Sequence, residues 1–149
     1  MRLQLVKQGD FLGTKCDFYV NETGDIFMSR TQIGYALKYK NPSKGIEDIH
    51  NRHHDRLDTM SVKVDPLSLQ GSNPHYRNGE RAYMYPEKGI YEICRYSRQK
   101  VAGDFYDWVY DVIQSIKKNG YYIASEKDEK WLGIRQETKE VRKAETDQI

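Results

Sequence analysis

The most informative side chains in the sequence are basic and amide groups at helical spacing around residue 45. Lys44 and Asn51 fall on one outward face, with Ser43 and Glu47, if this segment is helical. On a helix that enters the major groove, lysine can contact guanine and asparagine can contact adenine, while nearby cations hold backbone phosphates. The spacing predicts a DNA-binding surface that consists of Lys38, Lys40, Asn41, Ser43, Lys44, Glu47, Asn51 and Arg52.

A second basic cluster follows near residue 97 and is predicted to contact the DNA backbone. It consists of Arg95, Ser97, Arg98 and Lys100. Arg95 could equally form an ion pair with Glu92 or Asp104 along a helix. For each lysine of either cluster taken alone, the alternative is an ordinary solvated surface charge.

The remaining reactive side chains match no familiar catalytic or metal-binding pattern. His50, His53 and His54 lie within one helical turn, but no Cys, Asp or Glu cluster completes a zinc site at a usual spacing. The sequence contains no glycine-rich phosphate loop, no serine nucleophile elbow and no convincing carboxylate pair. We therefore expect a protein that is not an enzyme and that uses no metal and no cofactor.

Two short helices joined by a tight turn are predicted to position the first cluster. A capping box is predicted in which the Ser29 hydroxyl accepts the Gln32 backbone N–H and the Gln32 side chain reaches back, so that a helix begins at about Arg30. Asn41 and Pro42 then start a second helix. The predicted inner faces are Ile33, Ala36 and Leu37, followed by Ile46, Ile49 and His53. The pair is typical of a helix-turn-helix, and a plain αα-hairpin is the alternative.

The rest of the chain predicts an α+β fold with small antiparallel hairpins and two further helices. Strands are predicted at residues 16–20, 26–28, 60–64 and 81–85, with an earlier one near Leu5. Met60, Val62 and Val64 are expected on one strand face, and residues 65–80 form a long loop. A third helix has Pro86 in its first turn and Ile90, Ile93 and Cys94 facing inward, and a fourth covers about residues 101–118.

Residues 124–149 differ in composition from the preceding domain, which we place at residues 1–123. They hold 13 charged residues and a broken apolar stripe that includes Trp131 and Ile134. This pattern predicts a charged C-terminal helix or linker. Such a helix is a candidate for packing on the domain, for homo-oligomer formation or for a link to a further domain.

The overall composition is that of a folded protein rather than a disordered or membrane-embedded one. The 149 residues include 12 Tyr, 4 Phe and 2 Trp, and no apolar run is long enough for a membrane span. Cys16 and Cys94 fit reduced thiols, so a cytoplasmic location is expected. The net charge of +2 conceals +3 in residues 28–57 and +2 in residues 95–123. The cations are therefore concentrated in the two clusters.

Three separated blocks resemble the BRO N-terminal domain of phage and prophage antirepressors and insect-virus BRO proteins. They are LKYKNPSKGI at residues 37–46, GIYEICRYSR at residues 89–98, and FYDWV at residues 105–109 followed by SIKKNGY at residues 115–121. The blocks keep the family's order and cover roughly residues 16–123. Lys38 stands where the family usually has glycine, so a differently built turn is expected. Gln114 stands where proline is usual, so a kink in the last helix is expected to be absent.

The resemblance implies an α+β regulatory domain that serves as the front module of antirepressors and binds double-stranded DNA in its viral members. It does not imply an enzyme. The alternative is an antirepressor that binds a phage repressor protein and does not itself bind DNA. This alternative is open because the word antirepressor describes an effect and does not specify which molecule the protein contacts.

Overall fold

A computed structural model describes residues 2–69 and 81–119, and it has the predicted α+β architecture. Five antiparallel strands form one sheet in the order β1-β2-β3-β5-β4. The strands are β1 (Gln4–Phe11), β2 (Thr14–Val20), β3 (Ile26–Ser29), β4 (Val62–Val64) and β5 (Ala82–Pro86). The helices are α1 (Arg30–Ala36), α2 (Pro42–Arg52), α3 (His54–Leu57), α4 (Glu87–Tyr96) and α5 (Ala102–Asn119). Short 3-10 turns cover Asp58–Met60 and Pro66–Ser68.

The two hairpins predicted from the sequence belong to a single sheet. The predicted hairpin of β2 and β3 is confirmed, and β1 precedes it as expected. The later strands β4 and β5 join this sheet because β5 pairs directly with β3, with Met28 opposite Tyr85. All four residues of β3 are consequently buried.

The β1–β2 turn is a two-residue loop that brings one end of the sheet close to α1. Leu12 has a φ of 49° and Gly13 has a φ of 88°. Positive φ at both central residues is the geometry of type I′ hairpin loops, whose twist matches that of the flanking strands. The loop places the Leu12 carbonyl beside the end of α1.

The main core lies between the sheet and the helices. The predicted inner residues of α1, α2 and α4 are buried there, apart from the half-buried His53. The α5 prediction is confirmed: Phe105 and Val109 are fully buried, and the Trp108 ring packs against Phe11 and Phe18. The helix continues without a break past Gln114, as expected for a helix without proline.

Half of the predicted capping box is wrong. The Ser29 hydroxyl accepts the Gln32 N–H at 3.2 Å, as predicted. The Gln32 side chain, however, turns to β2, where Oε1 accepts the Asp17 N–H at 2.7 Å and Nε2 donates to the Asp17 carboxylate at 3.1 Å. Asp17 is fully buried, so a buried carboxylate competes successfully with the helix terminus for this amide.

Other local predictions need smaller corrections. Met60 lies in a 3-10 turn and packs in the main core, whereas Val62 and Val64 pack against the cluster on the opposite sheet face. Pro86 ends β5 and caps α4 rather than occupying its first turn. The short helix α3 was not predicted. The predicted C-terminal helix, residues 121–123 and most of the 65–80 loop lie outside the described residues.

None of the helices within residues 2–69 and 81–119 has the length and apolarity that a membrane crossing requires.

Candidate nucleic-acid interface

The turn between α1 and α2 is closed by a lysine in the left-handed region. Lys38 has a φ of 66°. Its N–H donates to the Tyr35 carbonyl at 3.0 Å and the Tyr39 N–H donates to the Gly34 carbonyl at 3.1 Å, which is the Schellman arrangement. Lys38 therefore closes the turn in the left-handed conformation that favours glycine, although it is not glycine.

Side chains from two other parts of the chain hold this turn in place. Lys38 Nζ donates to the Leu12 carbonyl at 3.1 Å in the β1–β2 loop. Gln99 Nε2, from the segment between α4 and α5, donates to the carbonyls of Leu37 and Lys38, each at 3.0 Å. Lys38 therefore has an intramolecular partner, and the end of α1 is capped by a residue 61 positions away.

Two glycines allow the helices to approach closely. A Cβ at Gly34 would overlap the backbone of Pro42 at the start of α2. A Cβ at Gly45 would overlap the ring of Tyr39. A larger side chain at Gly34 would require α1 and α2 to separate, whereas one at Gly45 would require the Tyr39 side chain to move.

The outward face of α2 carries the predicted DNA-reading side chains. Asn41 caps the helix by accepting the Lys44 N–H at 3.3 Å, as the sequence predicts. The exposed residues of this face include Ser43, Lys44, Glu47, Asn51 and Arg52. Lys44 pairs with exposed Asp48 at 3.1 Å, and this carboxylate raises the pKa of Lys44. Lys44 therefore remains charged, in an exposed ion pair that a phosphate can readily replace.

The two basic clusters meet in space. The Tyr39 hydroxyl lies 2.8 Å from the Ser97 hydroxyl, and the Ser97 oxygen also accepts the Gln99 N–H at 3.2 Å. At the other end of α2, the ring of His53 stacks on the ring of Tyr96 at 3.5 Å. We call the resulting surface the basic surface; its exposed cations are Lys38, Lys40, Lys44, Arg52, Arg95, Arg98 and Lys100.

Glu92 holds two arginines at the edge of the basic surface. Arg56 donates to both of its oxygens at 2.9 and 3.0 Å, and Arg95 donates at 3.3 Å. The Arg56 hydrogen bonds are the main reason why the pKa of Glu92 falls to about 2, although burial opposes the shift. Of the two ion-pair partners predicted for Arg95, Glu92 is the one with which it pairs in the structure. The DNA contact of Arg95 stays a prediction.

A buried polar chain anchors α2 to the sheet. Arg30 is 9% exposed, and its Nε and Nη2 donate to the Tyr85 hydroxyl at 3.0 and 2.8 Å. Because that oxygen accepts two bonds, its own proton points to His50 Nδ1 at 2.9 Å. His50 Nε2 then donates to Asp58 at 2.7 Å. The positive charge of Arg30 is therefore linked to a carboxylate through a tyrosine and a histidine.

These buried hydrogen bonds show that Arg30 and His50 have structural roles. Arg30 contributes to the positive charge of residues 28–57 but lies inside the protein, with its guanidinium 3.7 Å from the centre of the Tyr83 ring. Sequence reasoning missed His50 as a structural residue. Its spacing from Ile46 and Ile49 on α2 is a signal that could have indicated burial, whereas its partners Tyr85 and Asp58 come from distant elements.

Cys16 and Cys94 are buried free thiols, and burial raises the pKa of each to about 12. In the part of the chain that the structure describes, no three His, Cys, Asp or Glu side chains come together as metal ligands.

Comparison with known proteins gives one match that covers most of the chain. The family model described as the BRO family, N-terminal domain, matches residues 15–115. A curated relative, the glutamate–tRNA ligase of Buchnera aphidicola subsp. Cinara cedri (strain Cc), is 26% identical over 74 residues, which cover 48% of this chain and 16% of that protein. The chain thus spans about a sixth of that ligase, and so short a match does not transfer its activity. No solved structure matches.

Proposed function

Because the chain belongs to the BRO family through its N-terminal domain, we propose that this antirepressor-like regulator of phage or prophage type binds double-stranded DNA through the basic surface. In this proposal α2 lies in the major groove. Lys44 and Asn51 contact base edges, and Ser43 and Glu47 line the same face. Lys40, Arg52, Arg98 and Lys100 contact phosphates on either side.

The observation that carries the proposal is the contact between the two basic segments. The Tyr39 and Ser97 hydroxyls are 2.8 Å apart, and Gln99 donates to two carbonyls of the α1–α2 turn. The two segments that carry the cations, 58 positions apart at this contact, are therefore neighbours in the fold. Cations gathered from two neighbouring segments favour binding to a duplex backbone, because each neutralised phosphate releases counterions.

The test is a fluorescence anisotropy titration with labelled duplex DNA over a range of salt concentrations. One duplex should contain the promoter region of the protein's own operon, and a second should have a scrambled sequence. We expect affinity to fall steeply with salt. Lys40→Ala combined with Lys44→Ala should weaken binding about tenfold or more, and the loss of a phosphate contact should lower the salt slope by about 1 per cation removed.

The matched control removes two lysines from opposite edge strands of the sheet. Lys7 on β1 and Lys63 on β4 are both exposed. Lys7→Ala combined with Lys63→Ala changes the net charge by the same amount as the test pair and should leave affinity nearly unchanged. The absence of binding to any duplex at low salt, or equal losses in the two double variants, would contradict the proposal.

A second candidate function is antirepression through binding to a phage repressor protein. The observation in its favour is that Lys44 and Arg95 already pair with the carboxylates of Asp48 and Glu92, so these two cations have protein partners before any DNA binds. A pull-down with a repressor encoded beside this protein distinguishes the two. Capture that survives Lys40→Ala with Lys44→Ala, without any duplex binding by the wild type, would favour the repressor-binding function.

A further inference from the structure

The exposed face of α2 carries no net charge, although it belongs to the basic surface. Two cations, Lys44 and Arg52, are balanced there by two carboxylates, Glu47 and Asp48. The neighbouring segments 37–41 and 97–100 contain cations and no acidic residue. In the proposed complex, the attraction of phosphates therefore comes mainly from these neighbouring segments, and α2 contributes contacts of another kind.

Asp48 lies beside the lysine that is placed to contact guanine. It is one helical turn from Lys44, and its Oδ1 lies 3.1 Å from Lys44 Nζ. The two side chains are 60% and 51% exposed, because they are on the side of α2 that faces away from the buried Ile46 and Ile49. The pair therefore presents a donor and an acceptor side by side to any molecule that covers this face.

The helix holds this pair in a fixed position. At its start, the Asn41 side chain accepts the Lys44 N–H at 3.3 Å. Near its other end, the hydrogen bonds of His50 to Tyr85 and Asp58 anchor the helix to the rest of the domain. A donor and an acceptor that are positioned before binding lose less entropy when they contact a base pair.

A carboxylate at position 48 restricts what this face can contact in DNA. It repels phosphates, and in the major groove it can accept a hydrogen bond only from the amino groups of cytosine N4 and adenine N6. In an A·T pair, the N6 group lies between two acceptors, adenine N7 and thymine O4, which repel a carboxylate. In a G·C pair, the N4 group lies at one end of the edge, and the two guanine acceptors, O6 and N7, lie together beside it. An adjacent cation and anion therefore match the edge of a G·C pair better than that of an A·T pair.

We propose that Lys44 and Asp48 together read one G·C base pair in the major groove. Lys44 donates to guanine O6 and N7, and Asp48 accepts from the N4 amino group of the paired cytosine. This inference rests on the proposed function and names a base pair that α2 recognises. It makes Asp48 a specificity-determining residue in addition to the predicted DNA-binding residues.

The experiment is a selection from a pool of duplexes with a randomised core, followed by anisotropy titrations with the selected duplex. The wild type should enrich one position as G·C. Exchange of that base pair for A·T should weaken binding by the wild type at least about fivefold.

Substitutions at position 48 separate base reading from charge. Asp48→Ala removes the acceptor and introduces a good helix former, so it should fold. It should bind a scrambled duplex more tightly than the wild type does, because a negative charge has left the face, yet its preference for G·C over A·T should fall at least about threefold. Asp48→Asn keeps an oxygen acceptor and should retain part of the preference.

The matched control is Asp55→Ala on α3, which also removes an exposed carboxylate near α2. It should change the affinities for the selected and the exchanged duplex by the same factor. If Asp48 only balanced the charge of Lys44, Asp48→Ala would behave like this control.

Base analogues in the selected duplex identify the groove. Inosine in place of guanine keeps the major-groove edge and lacks only the amino group in the minor groove, so binding should stay within about threefold. 7-Deazaguanine lacks the N7 acceptor and should weaken binding at least about threefold. The opposite order of these two effects would place the contact in the minor groove and overturn the inference.

The proposed function and this inference can fail separately. A wild type that binds no duplex would contradict both. Salt-dependent binding without an enriched G·C position would overturn only the inference. The same holds for an enriched position that Asp48→Ala reads as well as the wild type does, and for an A·T pair that is read through position 48.

Discussion

The Tyr39 hydroxyl, in the turn between α1 and α2, lies 2.8 Å from the Ser97 hydroxyl in the segment that joins α4 to α5. We expect this pair to couple the two halves of the basic surface. In a double-mutant cycle, Tyr39→Phe and Ser97→Ala should show a coupling energy of about 0.5–1.5 kcal/mol in urea unfolding. Ser97→Ala alone should cost more than Tyr39→Phe, because the Ser97 oxygen also accepts the Gln99 N–H. Purely additive losses would contradict the coupling.

Removal of the Tyr85 hydroxyl should be costly. Tyr85→Phe leaves Arg30 and His50 without their shared partner in the core, and we expect a loss of about 2–4 kcal/mol in chemical denaturation. Tyr83→Phe is the matched control. The Tyr83 hydroxyl makes no hydrogen bond with any described residue, and its ring still stacks on Arg30. The control should change stability by less than about 0.5 kcal/mol; similar losses in both variants would argue against the buried chain.

The same substitution at two helical glycines should have opposite effects. Gly34→Ala places a methyl group against the Pro42 backbone and should destabilise the protein by about 2 kcal/mol or more. Gly103→Ala meets no atom, and alanine is the better helix former, so thermal unfolding should show a gain of up to about 1 kcal/mol. If Gly34→Ala were also stabilising, α1 and α2 would not approach as closely as the structure has them.

Acid should weaken the Glu92 ion pairs in a defined pH range. Because the pKa of Glu92 is lowered from 4.5 to about 2, its contribution to stability is complete above pH 4.5 and is lost as the pH falls towards 2. Glu92→Gln should therefore be less stable than the wild type at pH 7, and the difference should shrink between pH 4.5 and pH 2. Thermal unfolding over this range measures it, and a difference that is independent of pH would contradict the assignment.

The backbone conformation at position 38 should determine how strongly each substitution there changes the stability of the protein. Lys38 has a φ of 66°, so Lys38→Gly should remain within about 1 kcal/mol of the wild type: it relieves strain but loses the bond to Leu12 and increases the entropy of the unfolded chain. Lys38→Val should be about 1–2 kcal/mol less stable than Lys38→Gly, because a branched side chain is strongly disfavoured in this region. Equal unfolding midpoints for the glycine and valine variants would contradict this ranking.

The sequence predicted the elements better than their contacts. The start of α1 at Ser29, the start of α2 at Asn41 and the apolar face of α5 depend on neighbouring residues, and all three are confirmed. The pairing of β3 with β5 and the contact of Tyr39 with Ser97 join residues more than 50 positions apart. Periodicity and capping patterns contain no information about such pairs.

For the candidate site, too, the local features could be predicted from the sequence and the long-range contacts could not. The exposed residues of α2 could be identified from helical spacing, and the meeting of the two basic clusters could not. The Gln32 side chain shows why local rules fail: a buried Asp17 offers it a stronger partner than the helix end does. Arg30 shows the same at the level of charge, since it contributes to the +3 of residues 28–57 but lies inside the core.

The pairing of β3 with β5 also fixes the order in which the chain can fold during synthesis. β1, β2 and β3 can form a meander as they emerge, but one edge of β3 stays unpaired until residue 86 has been made. The helices that would read DNA are synthesised in that interval, before Tyr85 is available to anchor Arg30 and His50. A nascent or truncated chain that ends before β5 would expose an open strand and would lack the anchored α2. The anchored position of α2 is therefore reached only after β5 has been synthesised.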